Sequence, residues 1–151
     1  MVDGAEGRRA PHLFIPALSG LYAGLAPLAA AAPRVAAGLL LMPHGAQKLF
    51  GAFGGYGLDG TGQFMASIGL EPGWLFALAA GLVEFVGGAL LALGLLTRPA
   101  AVAVAVLLGV TITVHWPNGL FWTDMGFEYP LFWAVVALSY AVRGGGGYSL
   151  D

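Results

Sequence analysis

The chain has 151 residues, 58% of them hydrophobic and 9% charged, with a formal net charge of −2. A soluble domain carries roughly a quarter charged residues, so charge this sparse cannot cover a water-exposed surface, and the mean hydropathy of +0.81 points to a lipid environment. The acidic balance excludes nucleic acid as a partner, which demands a basic face.

Met1–His12 is polar and reads as a frayed start. Its two arginines are offset by Asp3 and Glu6, and no cleavage site follows Pro11, so a cleaved signal peptide is not expected. From Leu13 to Phe50 the sequence is almost wholly apolar, interrupted by Pro16, Pro27, Pro33 and Arg34. One span of the hydrocarbon core needs about 20 residues. Leu25–Phe50 is therefore the expected first span, with Leu13–Ala23 an interfacial lead-in. Gly51–Pro72, rich in glycine and carrying Asp59 and Glu71, is expected to be a loop. Gly73–Leu96 follows as the second span, Thr97-Arg98-Pro99 as a tight turn, and Ala100–Trp116 as the third span. Pro117–Phe127 is a second loop. Tyr129–Val142 is the fourth span, only about 21 Å long, so that Glu128 or Phe127 is expected to join it. Gly144–Gly147 then leads to Tyr148–Asp151. The expected architecture is an all-α integral membrane bundle of four transmembrane helices. It comprises an N-terminal extension (1–24), a four-helix domain (25–143) and a glycine-rich tail (144–151).

Four spans put Arg8, Arg9, Arg98 and Arg143 on one side and Asp59, Glu71, Asp124 and Glu128 on the other, with Lys48 near that border. The positive-inside rule then places both termini in the cytoplasm and both long loops outside. Most of Trp74, Trp116, Trp122 and Trp133 fall at the outer boundary, as an aromatic belt does.

With no cysteine, the chain lacks thiolate nucleophiles, disulfide exchange, iron–sulfur and cysteine–zinc sites and covalently attached haem. Chemistry must come from the polar groups inside the spans. An ionised side chain at the bilayer centre costs several kcal/mol and is normally turned inward and paired. Arg34 lies about 9 residues deep and Glu84 about 12, a difference of about 5 Å. The two are expected to pair and form the candidate catalytic set, with Glu84 the proton acceptor. The same pair would serve equally as glue between helices.

A second polar group gathers at the outer end of the first span, where His44, Gln47 and Lys48 in HGAQK share a helical face. Arg34, Gly38, Leu41, Gly45 and Lys48 also form a stripe at helical period. His115 ends the third span, and Asn118 follows at similar depth. Three readings stand. These residues form a pocket for an anionic or quinone-like head group, reach as interfacial side chains for water, or, through His44 and His115, ligate haem. No dedicated metal site is expected. Gly38, Gly45, Gly81, Gly87 and Gly88 suit close helix approach. The outer-loop glycines spell no phosphate-binding loop, because no lysine-serine or lysine-threonine pair follows.

HGAQKLFG (44–51), GGYGLDGTGQFMASIGL (54–70), GLVEFVGGALLALGLLTR (81–98), HWPNGLFW (115–122), EYPL (128–131) and YSLD (148–151) together resemble the DoxX family, in its order and spacing, from Leu25 to Asp151. The resemblance implies a compact four-helix protein of the prokaryotic cytoplasmic membrane. It implies links to thiosulfate:quinone oxidoreductases of the respiratory membrane. The family's polar pattern falls on Arg34, His44, Lys48, Glu84, Arg98, His115, Asn118, Glu128 and Tyr129. The departures are the extra N-terminal stretch of about 24 residues and the run Gly144–Gly147.

Three functions follow as alternatives. One is a membrane subunit of a respiratory or redox-linked assembly that binds a quinone between its helices, with the bilayer and other subunits as partners and no intrinsic redox cofactor. Another is a non-catalytic anchor. The third is a small-molecule transporter or binder, for which four spans are few unless the protein oligomerises.

Overall fold

A computed structural model of the chain describes residues 13–151; the polar start, Met1–His12, lies outside the described residues. After a short 3-10 turn at Pro16–Leu18, helix α1 runs over Ser19–Phe50. Helix α2 covers Gly57–Ser67, and α3 covers Gly73–Leu82. One turn of π-helix, Val83–Gly87, leads into α4, Gly88–Leu93. Helix α5 spans Thr97–His115 and α6 spans Glu128–Arg143. The described residues form no strand; the fold is all-α.

Among the described residues, three stretches are long and apolar enough to cross a membrane: Pro16–Phe50, Gly73–Leu93 and Thr97–Asn118. Helix α6 begins at Glu128, and its 16 residues rise about 24 Å, short of the roughly 30 Å hydrocarbon core. The exposed surface carries large apolar side chains such as Leu39, Leu40, Val106, Val110, Val135 and Leu138, which water would not tolerate in this density.

Three boundaries differ from the expectations. The lead-in is no separate segment, because α1 starts at Ser19 and runs unbroken through Pro27 and Pro33 to Phe50. In lipid an unpaired backbone group is costlier than a bent helix, so these prolines are absorbed. Gly51–Pro72 is more than a loop. It holds α2, whose Leu58, Thr61, Met65 and Ile68 recur at helical spacing beneath the glycines. The turn after the second span is at Gly94–Leu96, where Gly94 (φ 68°) and Leu96 (φ 48°) are left-handed. Thr97-Arg98-Pro99 instead opens α5, since proline is tolerated in a first helical turn.

Helix α1 packs antiparallel along α3, the π turn and α4, with Gly38 against Gly88 and Gly45 against Gly81. A Cβ on Gly45 would lie 2.5 Å from Phe85 N and 2.7 Å from Gly81 O, so the backbones meet at these small residues. Gly87 has only ordinary contact, with Val104 at 3.5 Å. Helices α5 and α6 form the second pair, around a core of Leu91, Ala101, Val104, Leu108, Ala137 and Tyr140. Helix α2 folds back on α3, where Gly73 lies against Gly62.

Candidate functional site

The glycine contacts set the register of α1 against the second apolar stretch. Gly38 beside Gly88 and Gly45 beside Gly81 put Arg34 level with Ala92 and Glu84 level with Met42. The Cα–Cβ bond of a helical residue tilts toward the helix N-terminus. Arg34 therefore leans away from Glu84, whereas Lys48 and Glu84 lean toward each other. The expected Arg34–Glu84 contact is absent. Lys48 Nζ donates to both carboxylate oxygens of Glu84, at 2.9 and 2.7 Å. Depths counted from an assumed span start at Leu25 misplaced Arg34, because α1 overhangs the end of α4 and Arg34 sits beside that helix's last turn.

Arg34 is fully buried. Its Nη1 donates to the carbonyls of Leu91 and, at 3.0 Å, Ala92; its Nη2 donates to the carbonyl of Tyr148. The C-terminal carbonyls of α4, which carry partial negative charge, take the role of a carboxylate, although that of Leu91 also accepts the Gly94 N–H at 3.1 Å. Arg34 Nε has no partner. The tail completes this cap. Leu150 N–H donates to the Leu93 carbonyl at 3.3 Å, and Asp151 N–H to the Gly94 carbonyl at 2.9 Å. The Asp151 carboxylate accepts the Thr97 N–H at the start of α5, at 3.1 Å. Thr97 (hydroxyl and amide), the Leu96 amide and the Arg34 charge hold the Asp151 carboxyl below the usual carboxylate range, against an opposing desolvation effect. The Thr97 hydroxyl makes no hydrogen bond of regular geometry, so it acts there by proximity. Arg98 and Arg143 line a second, shallow cavity with Gly144–Gly146 at this same end.

The Lys48–Glu84 pair borders a cavity of about 510 Å³. One wall is α3 and the π turn (Phe76, Ala80, Val83), and the facing wall is α5 (Val106, Leu107, Val110). Phe64, Met65 and Ile68 of α2, with Leu70, close the end. Among the described residues its ionisable lining groups are Lys48, Glu84 and His115. The π turn places Glu84 here, since the extra residue shifts its angular position on the helix; such bulges are frequent at functional sites. His115 is fixed by its own helix, Nδ1 lying 2.9 Å from the Thr111 carbonyl.

The remaining expected site residues lie off this cavity. His44 is exposed, one residue step (100°) from Gly45 on the helix seam. Gln47 donates to the Phe53 carbonyl at 3.4 Å, and Asn118 to the Met125 carbonyl at 3.1 Å, each bracing a loop. Glu128 accepts the Trp122 N–H at 2.9 Å, and Trp116 stacks on Phe127 at 4.6 Å. The apolar wall from α2 went unseen because glycine spacing masked the helix.

Apolar helices of spanning length packed through glycine seams around a buried ion pair define a small multi-pass membrane protein. The chain belongs to the DoxX family, whose model matches residues 29–116. It is 34% identical to "Putative oxidoreductase CatD" of Bacillus subtilis over 119 residues, covering 78% of this chain and 81% of that protein. It is 32% identical to "Inner membrane protein YphA" of Escherichia coli over 124 residues, covering 78% and 84%. No solved structure matches the chain significantly.

Proposed function

We propose that this chain is a four-span protein of a prokaryotic cytoplasmic membrane, with both termini in the cytoplasm, that binds a quinone between its helices as a subunit of a respiratory or redox-linked assembly. The observation that carries the reading is the cavity of about 510 Å³, apolar among the described residues except for Lys48, Glu84, Thr111 and His115. Its size and lining are those of a small-molecule site, a greasy wall with a few convergent polar groups. In this reading the apolar walls hold the ring and the start of an isoprenoid tail, Lys48 donates to a ring oxygen, and His115 lies beside the ring. Glu84 is the deeper proton acceptor, with Lys48 in the counter-charge role that the sequence assigned to Arg34. The arginine asymmetry supports the orientation. The packing of α6 along α5 supports a fourth span, because a short helix is accommodated by local bilayer thinning. The chain has no group of its own to carry electrons, so they would pass through a partner; the relative named as an oxidoreductase supports that membership.

Titration of detergent-solubilised protein with decylubiquinone, followed by tryptophan fluorescence, tests the reading. Saturable binding is expected, weakened by the double change Lys48→Met with Glu84→Leu, which removes the donor, and unaffected by His44→Ala. Absence of saturable binding would leave the anchor-subunit reading in its place.

A further inference from the structure

The polar groups of the cavity are not free to bind alike. A carbonyl oxygen only accepts, so the 2.9 Å contact between His115 Nδ1 and the Thr111 carbonyl puts the ring proton on Nδ1. In the neutral ring, Nε2 then carries a lone pair and is an acceptor. It makes no hydrogen bond among the described residues. Lys48 has three N–H donors, and the two Glu84 oxygens take two of them. Both carboxylate oxygens are thereby engaged. The Thr111 hydroxyl proton is committed to the Leu107 carbonyl at 3.0 Å. What remains on the cavity is one donor, the third N–H of Lys48, and one wholly unpartnered acceptor, His115 Nε2, beside the spare lone pairs of the already bonded Glu84 and Thr111 oxygens.

A quinone presents only acceptor oxygens. It satisfies Lys48 but sets lone pair against lone pair at His115, and covering that part-buried acceptor without a partner is costly. A quinol presents hydroxyls that accept as well as donate, and so matches both groups. We propose that the cavity recognises the hydroxyl-bearing, reduced form of its ligand, a quinol, with His115 Nε2 accepting a hydrogen bond from a ring hydroxyl and Lys48 donating to a ring oxygen. This rests on the reading that a quinone-type molecule occupies the cavity; it concerns binding alone and invokes no electron transfer.

Anaerobic titration of the full chain with decylubiquinol, decylubiquinone and the dimethyl ether of the quinol tests it. The ether keeps the ring, the tail and the acceptor oxygens but has no donor. One net hydrogen bond predicts quinol binding about two- to tenfold tighter than either other ligand. His115→Ala should erase the difference, His115→Gln, which retains a carbonyl acceptor, should preserve it, and His115→Lys, which offers only donors, should reverse it toward the quinone. Saturable binding of quinone as tight as quinol, or a preference that survives His115→Ala, overturns the inference and leaves the quinone-site reading standing. If no ligand saturates, the site reading itself fails. The three-ligand comparison on the parent chain needs no variant to fold, and thermal unfolding checks those that are used.

Discussion

Removing one member of the Lys48–Glu84 pair gives the sharpest measure of whether the register is right. Glu84→Gln leaves an ammonium facing an apolar cavity with no countercharge, and Lys48→Met leaves a carboxylate in the same state. Breaking a buried pair by deleting one partner costs roughly 3–5 kcal/mol. The side chains are 24% and 12% exposed, so some relief by water or headgroups pulls the expectation toward about 3 kcal/mol, two powers of ten in the unfolding equilibrium. The double change Lys48→Met with Glu84→Leu removes both charges and should lie within about 1 kcal/mol of the parent, because apolar replacement of a buried pair is often neutral. Reversible unfolding in mixed SDS and dodecylmaltoside micelles, read by tryptophan fluorescence, gives the four free energies of the cycle. The control is a second cycle, Arg34→Met with Glu84→Leu. Arg34 bonds only to carbonyls of Leu91, Ala92 and Tyr148, so those two changes should add within about 0.5 kcal/mol. A larger coupling for Arg34–Glu84 than for Lys48–Glu84 would refute the register argument.

Gly45→Ala should destabilise by about 1–3 kcal/mol in the same assay, since its Cβ would press on Phe85 N and Gly81 O and backbone cannot yield. Gly109→Ala, with nothing within 4 Å, should be neutral or stabilising by up to about 1 kcal/mol; equal costs at both sites would refute the seam. Cysteines at Gln63 and Arg143 should label from opposite sides of the membrane if α6 crosses it; labelling from one side reduces the spans to three. The Asp151 carboxyl is depressed in the folded state, so its contribution is present above the unfolded value near 3.8 and is lost as pH falls through the lower folded value. Protection of the Leu150 and Asp151 amides, taken relative to intrinsic exchange at each pH, should fall in that acid window, and Asp151→Asn should lower it at neutral pH; unchanged protection in the variant would show the carboxylate idle.

The helices and their order were legible because apolar runs of spanning length leave a lipid-bound chain few alternatives, and Gly38 and Gly45 announced the seam of α1. Register was not legible. It depends on how far one helix overhangs the next, and no pattern within α1 shows that Ser19–Ala30 projects past the end of α4. That one offset exchanged the partner of Glu84. Lys48 and His115 could be expected on one cavity because polar groups deep in apolar runs need company. His44 could not be told from Lys48, since a spacing of four residues leaves an angular difference of about 40°, enough to put one on the cavity and the other outside. The α2 wall was hidden by glycines, whose helix penalty of about 1 kcal/mol each is overridden by packing on α3. The π turn left no signal in the sequence at all.

The exchange of partners separates two jobs that one Arg34–Glu84 pair would have fused. Arg34 is anchored to backbone carbonyls at the end where the tail folds back, so its charge does not move without unpicking α4, Tyr148 and the turn that Asp151 caps. That is the chemistry of a fastening, and it explains how a fully buried guanidinium persists without a carboxylate of its own. The other charge pair, part-buried, lies two helical turns deeper along the second apolar stretch, on a cavity, with the third Lys48 N–H and the His115 acceptor still unpartnered. Lysine suits that place better than arginine. Its ammonium is a compact charge on a flexible stem that can turn its third N–H to a ligand without releasing Glu84, which a planar guanidinium locked bidentate to a carboxylate does less readily. The division of labour thus follows from geometry: the charge at the helix end holds the fold, and the pair at the cavity is left free to meet a ligand.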